Sequence, residues 1–345
     1  MMQVRADDPT GNWAAPGVYR VAPGVHRIPL PLPGDALTAV NVYAVDDGTT
    51  LALIDSGQAL ATSRDLLAAA LNALGCGLAD VRRFLVTHLH RDHYTQAVAL
   101  RREFGTAITL GAGEEPSLRI AGSPAHQLTP QAELLTRCGA TALLRRLRGI
   151  DPRDGIPRDI WEAPNDWLTG GTTVPVGART LDAVATPGHT RGHLVFHEQT
   201  AGILFAGDHV LPHITPSIGF EAALAPFPLR DYLGSLRLVR AMPDARLLAA
   251  HGPVTTSVHA RVDELLVHHD TRLTAASRLV ARGRNTAYAV ADGLTWTRRE
   301  RRLIELDPFN QMLAVLETKA HLDLLVLQEQ LITEDIDGIT HYRAP

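Results

Sequence analysis

The chain has 345 residues, 45% of them hydrophobic and 20% charged, with 33 Lys and Arg against 37 Asp and Glu for a formal charge of −4. That composition speaks against disorder and fits a globular chain of one large or two smaller domains. No run of about 18 uncharged apolar residues marks a membrane span, the first residues lack the apolar core of a leader, and the charge balance offers no general attraction to nucleic acid or an anionic membrane, so the expected location is cytoplasmic with no membrane partner.

Two cysteines, Cys76 and Cys138, are too few for a disulfide framework and do not form a C-x-x-C pair, so they read as structural thiols. Lys319 is the only lysine, which removes the phosphate-gripping lysine of a P-loop. Sixteen histidines remain to be explained by how they cluster.

Short apolar runs between Val18 and Gly57, broken by Gly, Pro and Asp, read as strands with tight turns and an antiparallel start. Residues 59–74 carry apolar positions at helical spacing and stop at Gly75, which predicts a helix with a glycine cap. Residues 83–88 read as a strand and 93–104 as a helix closed by Gly105, which leaves His88 to Asp92 in a loop at the strand's carboxyl end. Residues 111–170, rich in Gly, Pro and Arg with one helix expected near 131–148, read as an inserted lid or pocket wall. Strand character returns between 174 and 208, followed by a helix at about 229–240 and a strand at 245–251. Beyond 258 the texture turns helical and ends in a segment fit for a β wing. That tail holds 11 basic and 13 acidic residues, a local net of −2, which does not favour nucleic acid.

The segment Thr87-His88-Leu89-His90-Arg91-Asp92-His93 puts four potential metal ligands into six positions. Two histidines at i and i+2 of an extended segment point to one side, and the turn into a helix lets Asp92 and His93 face the same cavity. Pro187-Gly188-His189-Thr190, Gly207-Asp208 and His251-Gly252 each place one further ligand type at the end of a strand.

Through H-x-H-x-D-H at His88 to His93, P-G-H-T at 187–190, G-D at 207–208 and H-G at 251–252, with Asp55 in an LIDSG stretch, the chain resembles the metallo-β-lactamase fold superfamily over roughly residues 18 to 255. The resemblance implies an α/β fold, a four-layer αββα sandwich with metals in a groove between two sheets; the helical texture beyond 258 reads as a small C-terminal helical, winged-helix-like domain. The division expected is a catalytic domain at 1–257, with the insertion at about 111–170, and the C-terminal domain at 258–345. The resemblance also implies that His88, His90 and His189 hold one metal, that Asp92, His93 and His251 hold another, and that Asp208 bridges them. Two divalent ions follow, zinc first, with iron or manganese accepting the same ligands. Asp92, besides ligating, would orient the attacking hydroxide and move its proton as the catalytic carboxylate, and Asp55 would accept an N–H from a ligand imidazole.

Two metals about 3.5–4 Å apart bring a shared water toward neutrality and polarise the bond to be cleaved, so no serine triad is needed. The expected activity is hydrolysis of an acyl substrate, a thioester in the manner of glyoxalase II-like enzymes, with a lactone or other ester next. The alternatives are an endoribonuclease or phosphodiesterase of the same superfamily and an iron-dependent sulfur dioxygenase. The expected partners are a small acyl compound, which a coenzyme A handle can carry, and a second copy of the chain in a homodimer; nucleic acid is not expected. His193, His197 and His209 read as packing or ligand support, His213 as a residue that packs or lines the pocket, and His268 and His269 as a solvated helix face. The arginines from 137 to 158, with Arg145, Arg146 and Arg148 among them, read as helix surface or as a grip for a substrate anion. Tyr94-Thr95-Gln96 replace the glycines that follow the D-H pair in many of those hydrolases, and Tyr94 reads either as helix packing or as a donor to substrate.

Overall fold

Runs rich in Val, Ile, Leu and Tyr, punctuated by Gly, Pro and Asp, build the first half of the chain as strands joined by turns and then by helices. The computed structural model describes residues 2–34, 36–123, 129–147 and 157–345. In order come β1 (Val4–Ala6), β2 (Val18–Ala22), β3 (Val25–Pro31), β4 (Ala39–Asp46), β5 (Leu51–Ile54), α1 (Ala61–Ala73), β6 (Val81–Leu85) and α2 (Arg91–Phe104). They continue with β7 (Ala107–Gly111), α3 (Glu115–Ala121), α4 (Thr129–Arg137), α5 (Thr141–Arg146) and β8 (Asp166–Leu168). The strands form one sheet in sequence order, β1 to β8. β2 to β5 pair antiparallel through short turns; β5 to β8 pair parallel, because helices make each return crossing.

The second sheet takes β9 (Thr172–Val176), β10 (Arg179–Ala185), β11 (Leu194–Glu198), β12 (Ile203–Gly207) and, after α6 (Pro228–Ala241), β13 (Arg246–Ala249). Its order is β13-β12-β11-β10-β9, with β12 and β13 parallel. Alternate residues explain the layering. Tyr43, Val45, Ile54 and Leu85 of the first sheet meet Leu181, Phe196, Phe205 and Leu248 of the second in one buried core. The opposite face of the first sheet is covered by α1 and α2 through Leu67, Leu71 and Val98, and that of the second by α6 through Leu229, Leu236 and Val239. The result is the αββα sandwich.

The last stretch folds as α7 (Val258–Ala281), α8 (Ala287–Gly293), β14 (Thr295–Trp296), β15 (Arg301–Arg302), α9 (Pro308–Leu327), β16 (Ile332–Ile336) and β17 (Ile339–Arg343). The β16–β17 hairpin stands where the sequence suggested a wing. α7 starts inside the sandwich core with Val258, Val262 and Leu265 and ends in a second core with Ala276 and Val280. That second core also takes Leu135 of α4 and Leu143 of α5, so these insertion helices pack with the C-terminal helices. The one helix expected near 131–148 is two, divided at Cys138 to Ala140, where Gly139 takes a positive φ of 77°. No helix among the described residues is long and apolar enough to cross a membrane.

Candidate metal centre

Five strand ends carry the site. Asp55 follows β5, His88 to His93 follow β6, His189 follows β10, Asp208 follows β12 and His251 follows β13. Ligand-bearing loops at the carboxyl edge of a layered sheet meet in the crevice between the sheets. The turn into α2 starts at His90, which has extended backbone, so His88 and His90 leave the strand before Asp92 and His93 enter the first helical turn. Gly207 (φ 49°) brings Asp208 in closely: a Cβ there would stand 2.6 Å from Thr87 Oγ1 and 2.8 Å from His193 Nε2.

The seven side chains singled out by spacing fall into two touching groups, His88, His90, His189 and Asp208 in one and Asp92, His93 and His251 in the other, with donor atoms in each within 4.8 Å of one another. In the first, His90 Nδ1 lies 2.9 Å from His88 Nε2 and 3.1 Å from His189 Nε2. Asp208 Oδ2 lies 3.5 Å from His189 Nε2 and 4.0 Å from His88 Nε2. In the second, Asp92 Oδ2 is 3.4 Å from His93 Nε2 and 3.3 Å from His251 Nε2. The other Asp208 oxygen, Oδ1, is 3.7 Å from His93 Nε2 and 3.4 Å from His251 Nε2.

Second contacts fix which nitrogen faces the cavity. His189 Nδ1 donates to the Ser217 carbonyl at 2.8 Å and His251 Nδ1 to the Ala39 carbonyl at 2.7 Å, which leaves a lone pair on each Nε2. His93 Nδ1 donates to Asp55 Oδ2 at 2.9 Å. Thr87 Oγ1 donates to Asp55 and accepts from His88 Nδ1 at 3.1 Å, so Asp55 orients two ligand rings. Asp55 does this from a left-handed backbone (φ 59°), a conformation that aspartate tolerates and that concentrates at functional sites.

The donor atoms pass a direct test of fit. Asp92 Oδ2, His93 Nε2, Asp208 Oδ1 and His251 Nε2 are buried without any hydrogen-bond partner, a state that costs about 1–3 kcal/mol each unless something binds there. Ligand bonds of about 2.0–2.1 Å in a tetrahedron give donor separations of about 3.4 Å, and the observed separations bracket that value. Burial, and after it the neighbouring rings, drives His88 well below the usual imidazole range; burial also pushes His90 down to about 3 and His189 down to about 4. These shifts favour the neutral imidazole, the form that ligates a metal. At His93 burial opposes charge, but Asp92, Asp55 and Asp208 outweigh it and hold the ring well above its ordinary value. A field of carboxylates that favours a proton there favours a metal cation in its place. The clusters suit metal ions.

Other residues support the ligands, His193 in the role read for it from the sequence and Glu114 and Glu221 without any motif. His193 Nε2 accepts from the Asp208 backbone N–H at 3.2 Å while Nδ1 donates to Thr186 Oγ1 at 2.9 Å, so His193 braces Asp208. Buried Glu114 accepts from Thr190 Oγ1, and Glu221 accepts from the Arg191 N–H at 3.1 Å, which pins the loop after His189. Burial pushes Glu114 up to about 8 and Glu221 up to about 7. His197 is buried beneath α6 beside Val239 and Met242, and His209 packs on the Tyr232 ring at 5.3 Å. Tyr94 is buried and donates to the Glu162 carbonyl at 2.5 Å, which makes it a packing residue.

A cavity of about 1580 Å³ opens from these groups, bordered by His90, Asp92, His189 and Asp208 on one side and by residues of α7, β14 and α9 on another. His213 lines it. The solvated-face reading of His268 and His269 does not hold: His268 lines the cavity and His269 is fully buried, stacked on His321 at 5.2 Å, because α7 is packed on two sides. Arg137, Arg145 and Arg146 are exposed and do not line the cavity, and Arg146 bonds Gln311 at 3.0 Å. Arg148 lies outside the described residues. Both cysteines are free thiols, Cys138 buried and Cys76 half-buried.

Comparison with known proteins agrees with this geometry. The probable metallo-hydrolase YqjP of Bacillus subtilis is 26% identical over 331 residues, covering 92% of this chain and 95% of YqjP. The uncharacterized protein YobT of the same organism is 31% identical over 173 residues, which span 50% of this chain and 63% of YobT. Among solved structures, a beta-lactamase domain protein from Burkholderia ambifaria matches with a TM-score of 0.81 and 29% identity over 97% of this chain and 96% of that one. A metallo-beta-lactamase family protein from Thermus thermophilus matches with a TM-score of 0.77 and 26% identity over 94% and 100%. Residues 36–251 match the family described as the metallo-beta-lactamase superfamily, which takes in the whole run from β4 to His251, and the chain belongs to that superfamily.

Proposed function

We propose that the chain is a dinuclear metal-dependent hydrolase of an acyl compound, with a thioester as first substrate class and a lactone or other ester next. The observation that carries this reading is the division of one carboxylate: Asp208 Oδ2 faces His189 at 3.5 Å and Oδ1 faces His251 at 3.4 Å. In this reading His88, His90 and His189 would hold one cation and Asp92, His93 and His251 the second, with Asp208 offering one oxygen to each. Imidazole and carboxylate donors suit zinc, and iron or manganese accept the same set.

When bound, a pair of divalent cations supplies an acidified water and polarises the scissile carbonyl. The chain's own residues do the rest. Asp92 borders the cavity and serves as the carboxylate that orients the nucleophile and carries its proton toward the leaving group. Asp55, Ser217 and Ala39 hold the ligand rings in one tautomer, so nothing reorganises during the reaction. Leu37, Leu89, Trp161 and Phe220 give the cavity an apolar wall for an acyl chain. Its volume of about 1580 Å³ exceeds the 300–1,000 Å³ or so of common small-molecule pockets, which leaves room for an extended substrate or a coenzyme A-sized handle.

A second reading, phosphodiester cleavage, draws on one observation. Arg298 and Arg301 line the cavity, Arg299 and Arg302 follow them in the chain, and all four are exposed and form no ion pair with a described residue. The test is a screen of purified protein with its metals counted, against thioesters, lactones, phosphodiesters and RNA. Thioester turnover with two cations per chain supports the proposal. RNA cleavage with salt-sensitive binding replaces it with the second reading, and a single iron with sulfur oxidation replaces both.

A further inference from the structure

The cavity wall supplied by the C-terminal helices holds a guanidinium with one edge that no described residue hydrogen-bonds. The Arg272 guanidinium of α7 lies flat over the Trp296 ring, 4.2 Å from its centroid. Trp296 is itself fixed, with Nε1 donating to the Ala291 carbonyl at 2.9 Å. Arg272 Nη1 donates to the Thr295 carbonyl at 2.9 Å. Among the described residues the side chain makes no other hydrogen bond and no ion pair, so the Nε–Nη2 edge is free, and Arg272 borders the same cavity as Asp92 and Asp208. That edge is the one a carboxylate engages with two parallel hydrogen bonds.

The surroundings favour an anion there. His268, His269 and Glu317 offer donor atoms within 4.8 Å of one another, an arrangement that in isolation suits a metal ion. Arg272 acts on all three groups and Arg261 acts on His268, so a cation would sit against guanidinium charge. Arg261 is spent on the Leu211 and Ile214 carbonyls and on Glu264, which leaves Arg272 as the one of the two with donors to offer. Burial pushes the Glu317 carboxyl up while Arg272 beside it draws it down, and burial disfavours the charge on Arg272 while Glu317 supports it, so the pair attract without a hydrogen bond between them. The open edge of a half-buried guanidinium carries a desolvation cost that a bound carboxylate removes.

We infer that Arg272, stacked on Trp296 and flanked by His268, is a specificity-determining residue that receives a carboxylate borne by the substrate at a distance from the bond cleaved. The inference deepens the hydrolase reading and rests on it for the identity of the ligand as a substrate. The substrate class is thus an acyl compound with an anionic end, such as the thioester of a dicarboxylic acid. Arg137, Arg145 and Arg146, which the sequence offered for this task, do not line the cavity, and the grip comes from the C-terminal helices instead.

The experiment compares the wild type with Arg272→Met and, as a charge-preserving control that keeps the fold in reach, Arg272→Lys. Two readouts are taken on metal-loaded protein: calorimetric binding of glutarate against butyramide, and KM for thioesters of one chain length ending in a carboxylate or a methyl group. The expected result is a preference for the carboxylate end that falls about tenfold or more in Arg272→Met, with KM moving more than kcat, and an intermediate loss in Arg272→Lys, which keeps the charge but not the planar fork. Glutarate bound equally well by all three proteins, or a KM ratio unchanged by both substitutions, overturns the inference. If no thioester is turned over and glutarate binding still depends on Arg272, the hydrolase reading fails and the anion site stands. If thioesters are turned over without dependence on Arg272, only the anion site fails.

Discussion

Replacing Asp55 by Asn tests the tautomer argument at its source. Asn tolerates the left-handed backbone that Asp55 adopts (φ 59°), so the turn survives while the charge that orients His93, and Thr87 beside His88, is lost. Metal affinity, measured by competition with a chelator, is expected to fall about 10- to 100-fold; unchanged affinity would show that Asp55 is only a turn residue. Glu114 gives a prediction in pH. Its carboxyl is pushed up to about 8 by burial from an ordinary value of 4.5, so the folded chain holds a proton there that the unfolded chain releases. The stability tied to this proton is complete below about 4.5 and is lost as pH rises toward 8. Glu114→Gln, which cannot ionise, is expected to gain thermal stability relative to wild type as pH goes from about 5 to about 8.5, and a constant difference in Tm across that range contradicts the assignment. The seven clustered His and Asp were legible in the sequence because each lies in a short motif at a strand end. His193 was legible as ligand support from its place near the ligand motifs, whereas Glu114 and Glu221 were not, because a buried glutamate in a turn carries no local pattern.

At the scale of elements, periodicity and glycine stops placed α1, α2 and α6 to within a few residues, since each has one apolar stripe and a clear end. The helical runs that became α7 and α9 were legible too, but the face carrying His268 and His269 was misread because α7 is packed on two sides. α9 alternates between cores, with Ala320 and Leu324 facing the sandwich and Met312, Leu322 and Leu325 facing the helices of the insertion. The union of α4 and α5 with α8 and α9 was hidden for a related reason: no local signal reports which distant helix will cover an apolar face. Leu325→Ala is expected to cost about 2–5 kcal/mol, seen in urea denaturation as one transition displaced for the whole chain. A separate early transition confined to helical signal would mean that the C-terminal helices form an independent unit.

For the whole molecule, the sandwich positions ligands that are far apart in sequence, and the C-terminal helices close the cavity in front of them with Arg272, Trp296 and Glu317. The overall architecture was readable because superfamily motifs occur in a fixed order; the shape and charge of the far wall were not, since that wall exists only once α7, β14 and α9 meet. Ligands that bind only the folded chain add to its stability, so removal of metal by a chelator is expected to lower Tm, and Asp208→Ala is expected to lose most of that metal-dependent gain along with hydrolysis. The most direct measurement is anomalous X-ray scattering from crystals of the metal-loaded protein, with metal counted per chain in solution. Two cations about 3.5–4 Å apart, one beside His88, His90 and His189, the other beside Asp92, His93 and His251, with Asp208 touching both, is the predicted result. A single cation, or a metal held away from Asp208, contradicts the account.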